Sequence, residues 1–210
     1  MRLMAEQGSI EEGTLGGREP ASTALWQLIE AAREGDAEAF DRIMILHQHR
    51  VVSLAWRLLG NREDARDAAQ ETFLRIYKNL RGYDPGQDFA GWLYRIAVNV
   101  CRDLARKRKR QSAVSLEEEF AAGTIGEPAS GANTEEGAVL AQQQKLLAMA
   151  LETLTEKERL AIVLRDLQEL PTDEVARILG SSPTTVRTQI STGRAKIRLF
   201  HERWMRVSKR

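Results

Sequence analysis

The chain has one cysteine, Cys101, so no internal disulfide can form, which fits a reducing compartment. With only three histidines beside it, no metal-ligand spacing arises. His47 and His49 lie two apart, and on a helix such residues diverge. No apolar run approaches the roughly 18 residues needed to cross a bilayer, so membrane insertion is not expected. The first residues lack the charged-then-apolar order of a secretory leader, which points to the cytoplasm. A phosphate-cradling glycine loop is missing. The acidic run Glu117 to Glu119 falls in linker sequence, where paired acid–base chemistry would be poorly positioned. Neither catalysis nor a cofactor is therefore expected. Alternating β-branched runs bounded by turns are missing too, as is any internal repeat.

What the chain does have is helical periodicity from Leu25 onward. The expected fold class is all-α: two small helical domains joined by a flexible linker, the second a helix-turn-helix domain. Residues 1–22, rich in Gly, Glu and Ser, read as a mobile tail. The first domain covers 23–111, with Gly35 and Gly60 as breaks and Asn61 capping a helix that runs to about Leu80. Turn residues follow in "RGYDPGQD", then a helix from Phe89 to about Arg108. Residues 112–137 form an acidic linker, 138–204 the second domain, and 205–210 a basic tail. In the second domain Thr155 and Glu158 make a capping box, Thr172 caps the next helix after Pro171, and Gly180 suits a left-handed C-terminal position. Ser182 before Pro183 opens the last helix, and Cys101 reads as a small residue on a helix flank.

The formal charge of +1 hides two basic zones, Arg95 to Arg110 and Arg187 to the C-terminus. Such zones suit two local contacts with a polyanion. Spacing of about 100° per residue sorts the helices into faces. On helix 64–80, Ala65, Ala69, Phe73, Ile76 and Leu80 form the core stripe. Leu74 projects the other way, ringed by Asp67, Gln70, Glu71 and Lys78 with Tyr77 on the flank, a composition suited to protein docking. On helix 89–108 the buried stripe is Phe89, Leu93, Ile96, Ala97, Val100 and Leu104. Opposite it, Arg95, Asn99, Arg102 and Arg106 form a row with Trp92 at its edge. Cations beside an aromatic ring match a single nucleic-acid strand: the cations hold phosphates and the ring stacks on a base.

The stretch "PTDEVARILGSSPTTVRTQISTGRAKIR" has the helix-turn-helix pattern, with Val175, Leu179, Val186, Ile190 and Ile197 inward and Ala176 small where the helices approach. Thr184, Arg187, Thr188 and Ser191 face outward, with Arg194 and Arg198 to one side. These groups can meet phosphates and base edges.

Together, "EDARDAAQETFLRIYKNL", "FAGWLYRIAVNVCRDLARKRKR" and "LTEKERLAIVLRDLQELPTDEVARILGSSPTTVRTQISTGRAKIR" resemble, in that order, segments of the extracytoplasmic-function (ECF) sigma factors of the sigma-70 family. The resemblance covers most of 25–203 and implies a transcription initiation factor. It implies that Asp67, Gln70, Glu71, Leu74 and Tyr77 bind the core RNA polymerase. It further implies that Trp92, Arg95, Asn99, Arg102 and Arg106 meet the −10 element of promoter DNA, with the loop Tyr83 to Asp88 capturing an extruded base. Thr184, Thr185, Arg187, Thr188 and Ser191 would lie at the −35 element, and distal Arg194, Lys196 and Arg198 are expected to supply phosphate contacts. An anti-sigma factor is a further implied partner. The family's Gly-Thr-Val-Lys-Ser-Arg is replaced here by Thr184-Thr185-Val186-Arg187-Thr188-Gln189, and Gly193 follows, at a local helix cost of about 1 kcal/mol relative to Ala. The rival expectation is a helix-turn-helix regulator that binds duplex operators without polymerase.

Overall fold

The computed structural model describes residues 20–114 and 135–208. Among them every regular element is helical. The sequence divisions at 1–22 and 112–137 fall largely outside the described residues, although helix α1 begins at Pro20, α4 runs on to Val114 and α5 begins at Glu135; the expected tail 205–210 is helical as far as Ser208, where α8 ends. By contacts the chain divides after Ile43 into two compact units.

The first unit holds α1 (Pro20–Glu34) and the opening of α2 (Ala37–Leu59). Gly35 breaks the helix at φ +105°, a value L side chains rarely adopt. Asp36 Oδ1 then accepts from the Glu38 and Ala39 amides and starts α2. Ile29, Ala32, Ala39, Phe40 and Ile43 form its buried faces.

The second unit begins within α2 and contains α3 (Arg62–Asn79), a 3₁₀ turn (Leu80–Gly82), α4 (Phe89–Val114), α5 (Glu135–Glu152), α6 (Glu156–Ile162), α7 (Thr172–Leu179) and α8 (Pro183–Ser208). Asn61 caps α3 by accepting from the Glu63 and Asp64 amides. Small residues let α3 and α4 approach: Ala65 and Ala68 pack with Ala55, Val100 and Cys101. The expected stripe on α3 is buried throughout. On α4, Phe89, Leu93, Ala97 and Val100 are buried, while Ile96 and Leu104 are only partly covered.

The helix-turn-helix block is assembled by α6, α7 and α8. The capping box at Thr155 and Glu158 forms as expected. Glu158 also accepts two bonds from Lys196 Nζ, at 2.9 and 2.7 Å, which ties α6 to α8. Past Ile162 the helix widens into a π segment, Val163–Leu167. Thr172 is not the cap of α7: Pro171 holds that position without a side-chain bond, and Thr172 is already helical. Gly180 ends α7 at φ +62°, the left-handed conformation expected of it. The amide of Thr185 donates to Ser182 Oγ, so Ser182 caps α8. Ile178 rather than Leu179 is the fully buried residue at the end of α7.

Gly193 has a structural reason. It is buried against α6, and a Cβ there would lie 2.9 Å from Ile162 Cγ1. Its lack of a side chain sets how closely α8 and α6 can pack.

Candidate nucleic-acid interface

On α3, Asp67, Gln70, Leu74 and Tyr77 are exposed. Leu74 is 45 % and Tyr77 55 % exposed, large fractions for apolar bodies on a well-packed helix. Glu71 is half-buried and accepts from Arg75 Nε at 2.7 Å, and Arg75 Nη1 reaches on to Asp103 Oδ2 at 3.3 Å. The hydrogen bond to Glu71 is the main reason the Arg75 guanidinium is raised above its ordinary range.

On α4 the expected row keeps one edge of the helix. Asn99 and Arg106 are exposed; Trp92, Arg95 and Arg102 are half-buried. The Arg95 Nε is buried without a hydrogen-bond partner among the described residues. Arg102 Nε lies 3.6 Å from Glu156 Oε1 on α6. Trp92 belongs to an aromatic cluster, its ring 5.0 Å from Tyr83 and 5.8 Å from Phe89. Tyr83 is buried and donates its hydroxyl to the Gln87 carbonyl, while the Gly91 amide donates to Asp88 Oδ2 at 2.7 Å. The turn before α4 is thus held by its own polar groups and by tilted and edge-to-face ring contacts. His47 lies under it, 5.5 Å from the Phe89 ring. Burial, then Arg50, hold its imidazole below the usual pKa, and Asp88 opposes them.

On α8, Thr184, Thr185, Arg187, Thr188, Ser191, Arg194 and Arg198 are all exposed. Their availability differs. Thr185 Oγ1 is 2.8 Å from Ser182 Oγ, and Thr188 donates back to the Thr184 carbonyl at 3.1 Å. Arg194 is held by both oxygens of Asp166, at 2.9 and 2.6 Å. Beside these residues runs a groove of about 620 Å³ lined by Arg165, Thr172, Arg187, Ser191, Arg194 and Arg198. With Arg194 held by Asp166, the groove offers three other guanidiniums and two hydroxyls, chemistry that suits a phosphate backbone.

The segments that carry these faces match known proteins. Residues 44–111 match the family profile "Sigma-70 region 2" and residues 144–197 match "Sigma-70, region 4". The ECF RNA polymerase sigma factor SigE of Mycolicibacterium smegmatis is 34 % identical over 180 residues, covering 86 % of this chain and 67 % of SigE. SigW of Bacillus subtilis, also an ECF RNA polymerase sigma factor, is 34 % identical over 176 residues, covering 81 % of this chain and 92 % of SigW. The chain belongs to the ECF sigma factors of the sigma-70 family. The fold of this ECF sigma factor agrees: the sigma factor RpoE of Bartonella quintana, solved with the anti-sigma factor NepR, superposes with a TM-score of 0.65 at 21 % identity, over 79 % of this chain and 98 % of that one.

Two parts of the sigma factor's surface were not foreseen from sequence. Arg165 and Thr172 join the α8 groove because the π segment and the turn after it carry them alongside α8. The second is a further stripe on α4. Gly91, Tyr94 and Val98 are buried on a face that is neither the core stripe nor the basic row. Region-4 residues meet it at two points: Tyr94 Oη donates to Gln168 Oε1 at 2.9 Å, and the Glu174 carboxylate packs on Gly91. Burial pushes the Cys101 thiol up to about 12, so it stays protonated and serves as packing.

Proposed function

We propose that this ECF sigma factor engages its targets through three helical faces, one on each of α3, α4 and α8. Asp67, Gln70, Glu71, Leu74 and Tyr77 dock the core RNA polymerase. Trp92, Arg95, Asn99, Arg102 and Arg106 hold the melted strand of the −10 element, with the turn Tyr83 to Asp88 receiving a base. Thr184, Thr185, Arg187, Thr188 and Ser191 read the −35 element, and Arg198 with Arg165 meets phosphates. Arg194, paired with Asp166, positions the groove wall more than it contacts DNA. The observation that carries the reading is the α4 row: cations and a ring at one helix edge, inside the region-2 match.

The chain has no catalysis of its own and works in the cytoplasm; the described residues contain no helix long and apolar enough to cross a membrane. It supplies promoter choice, and by binding unstacked bases it lowers the cost of strand opening. Each DNA contact is modest, and polymerase makes them reinforce one another by holding both at high effective concentration. An anti-sigma factor antagonises it, as NepR is bound to RpoE.

Run-off transcription with bacterial core polymerase on a genomic promoter library tests the whole. Arg102→Ala with Arg106→Ala should leave core binding intact and abolish permanganate reactivity of the melted strand. Normal reactivity in that variant would refute the α4 assignment.

A further inference from the structure

The short turn at Gly60 and Asn61 joins α2 to α3 and sets two helix faces around one cavity. On α2, Ser53, Trp56 and Arg57 line it, at the i, i+3 and i+4 spacing of a single face. On α3, Arg62 and Arg66 line it, one turn apart, and Leu147 of α5 adds a third wall. The cavity holds about 420 Å³, and small-molecule sites run from about 300 to 1,000 Å³. It is separate from the polymerase and DNA faces. None of the described residues that line it is acidic. Elsewhere guanidiniums meet carboxylates: Arg75 pairs with Glu71 and Asp103, Arg108 with Asp64, and Arg194 with Asp166. Asp64 sits in the same first turn of α3 as Arg62, yet it turns to Arg108 on α4. Arg57 Nε is buried with no hydrogen-bond partner among the described residues. Burial lowers the Arg57 pKa, with Tyr94 opposing it. A desolvated cation without a counter-charge is costly, and an anion in the cavity would offset that cost.

We propose that this cavity binds a nucleoside polyphosphate, with Arg57, Arg62 and Arg66 on the phosphates and the base against Trp56. The planar fork of each guanidinium can give two parallel hydrogen bonds to a phosphate, which favours arginine over lysine at such a site. Three of them match a chain of phosphates better than a single carboxylate. The indole of Trp56 packs on the Ala55, Ala65 and Ala68 core while lining the cavity, so its position is fixed by the fold. A fixed aromatic ring can stack on a base of any type. Ser53 adds a hydroxyl that can donate or accept towards the sugar. Cations, a ring and an apolar wall on three helices suit a compact ligand with an anionic end and a planar end.

The test titrates ATP into the full chain by isothermal calorimetry, with inorganic tripolyphosphate and adenosine as comparison ligands. ATP should saturate one site per chain, roughly tenfold tighter than tripolyphosphate, with adenosine weaker still. Arg62→Gln with Arg66→Gln should weaken ATP at least tenfold with helical content unchanged, since Arg62 is half-buried and Arg66 exposed. Trp56→Leu should weaken ATP about tenfold and leave tripolyphosphate unchanged, a split that a general loss of structure would not produce. A charge-matched control, Lys107→Gln with Lys109→Gln, alters exposed cations of α4 that do not line the cavity and should leave the ATP affinity as it was. No saturable ATP binding, an unaffected Arg62/Arg66 variant, or equal weakening by the control overturns the proposal. Equal affinity of the native chain for ATP and tripolyphosphate, or equal loss of both in Trp56→Leu, overturns the nucleotide assignment.

Discussion

Gly193→Ala is the substitution for which local and tertiary physics disagree in sign. In an isolated helix alanine is favoured over glycine by about 1 kcal/mol. In this protein the new Cβ would meet Ile162 Cγ1 at 2.9 Å and Cδ1 at 3.3 Å, with Glu158 Cβ at 3.7 Å. Ile162 is buried in α6 just before the π segment, so its branch point cannot move without shifting the helix. Overpacking of this kind costs about 1–3 kcal/mol. The net expectation is a destabilisation of about 0–2 kcal/mol, against the stabilisation that propensity alone would give. Urea unfolding followed by circular dichroism reads it directly. Ile162→Ala removes the obstructing atoms, so the second substitution should become neutral or stabilising in that background, giving a coupling of about 1 kcal/mol or more. A higher urea midpoint for Gly193→Ala in the otherwise native chain would show that the α6–α8 packing distance is not what this glycine serves.

Other expectations follow from individual groups. Leu74→Asp should cut core-polymerase affinity at least tenfold while leaving the thermal midpoint within about 1 °C, because the side chain is already half in solvent; unchanged affinity in a pull-down would remove α3 from the docking surface. The hydrogen bonds from Lys196, then from the Thr155 amide, hold the Glu158 carboxyl below the usual carboxylate range. That pairing stabilises the fold above the unfolded-state pKa of about 4.3 and is lost as pH falls through the lower folded value. Lys196→Met should therefore move acid unfolding to higher pH, and an unmoved acid limb would contradict it. Burial, then Arg50, lower the His47 pKa, so its contribution is complete above its unfolded pKa of about 6.5 and declines as pH falls below that. His47→Phe should flatten the stability profile between pH 7 and 5, measured by thermal melts across that range. Arg187→Ala should weaken −35 binding with little effect on strand opening, as footprinting and permanganate reactivity would show together.

Reading along the chain was enough wherever the controlling interaction is local. Asn61, Thr155 with Glu158, Ser182 and Gly180 act on amides or carbonyls within a few residues, so their roles were visible as spacing. Thr172 was misread because proline can precede a helix without a side-chain cap, and the residue type alone does not say which position is the cap. The core stripes of α3 and α4 and the basic row followed from the helical repeat, which assigns faces without knowledge of the partner. The resemblance of three ordered segments then supplied the family.

The remainder depended on residues far apart in the chain. Tyr94 finds Gln168 74 positions later, and nothing in "LYRIAVNVC" marks that face as an interface, since Tyr, Val and Cys suit a flank as well as a seam. Asp166 takes Arg194 out of the set of available cations, and the π segment that places Asp166 and Arg165 is a departure from the repeat used to read the helix. Gly193 looked like a local cost and proved to be a point of close approach. Helical periodicity encodes which side of each helix is greasy and which is charged, because backbone geometry alone spaces those side chains. Which charged side is then open to DNA, and which is covered by a carboxylate from another helix, is settled by how the helices pack, through contacts whose partners no short window of sequence contains.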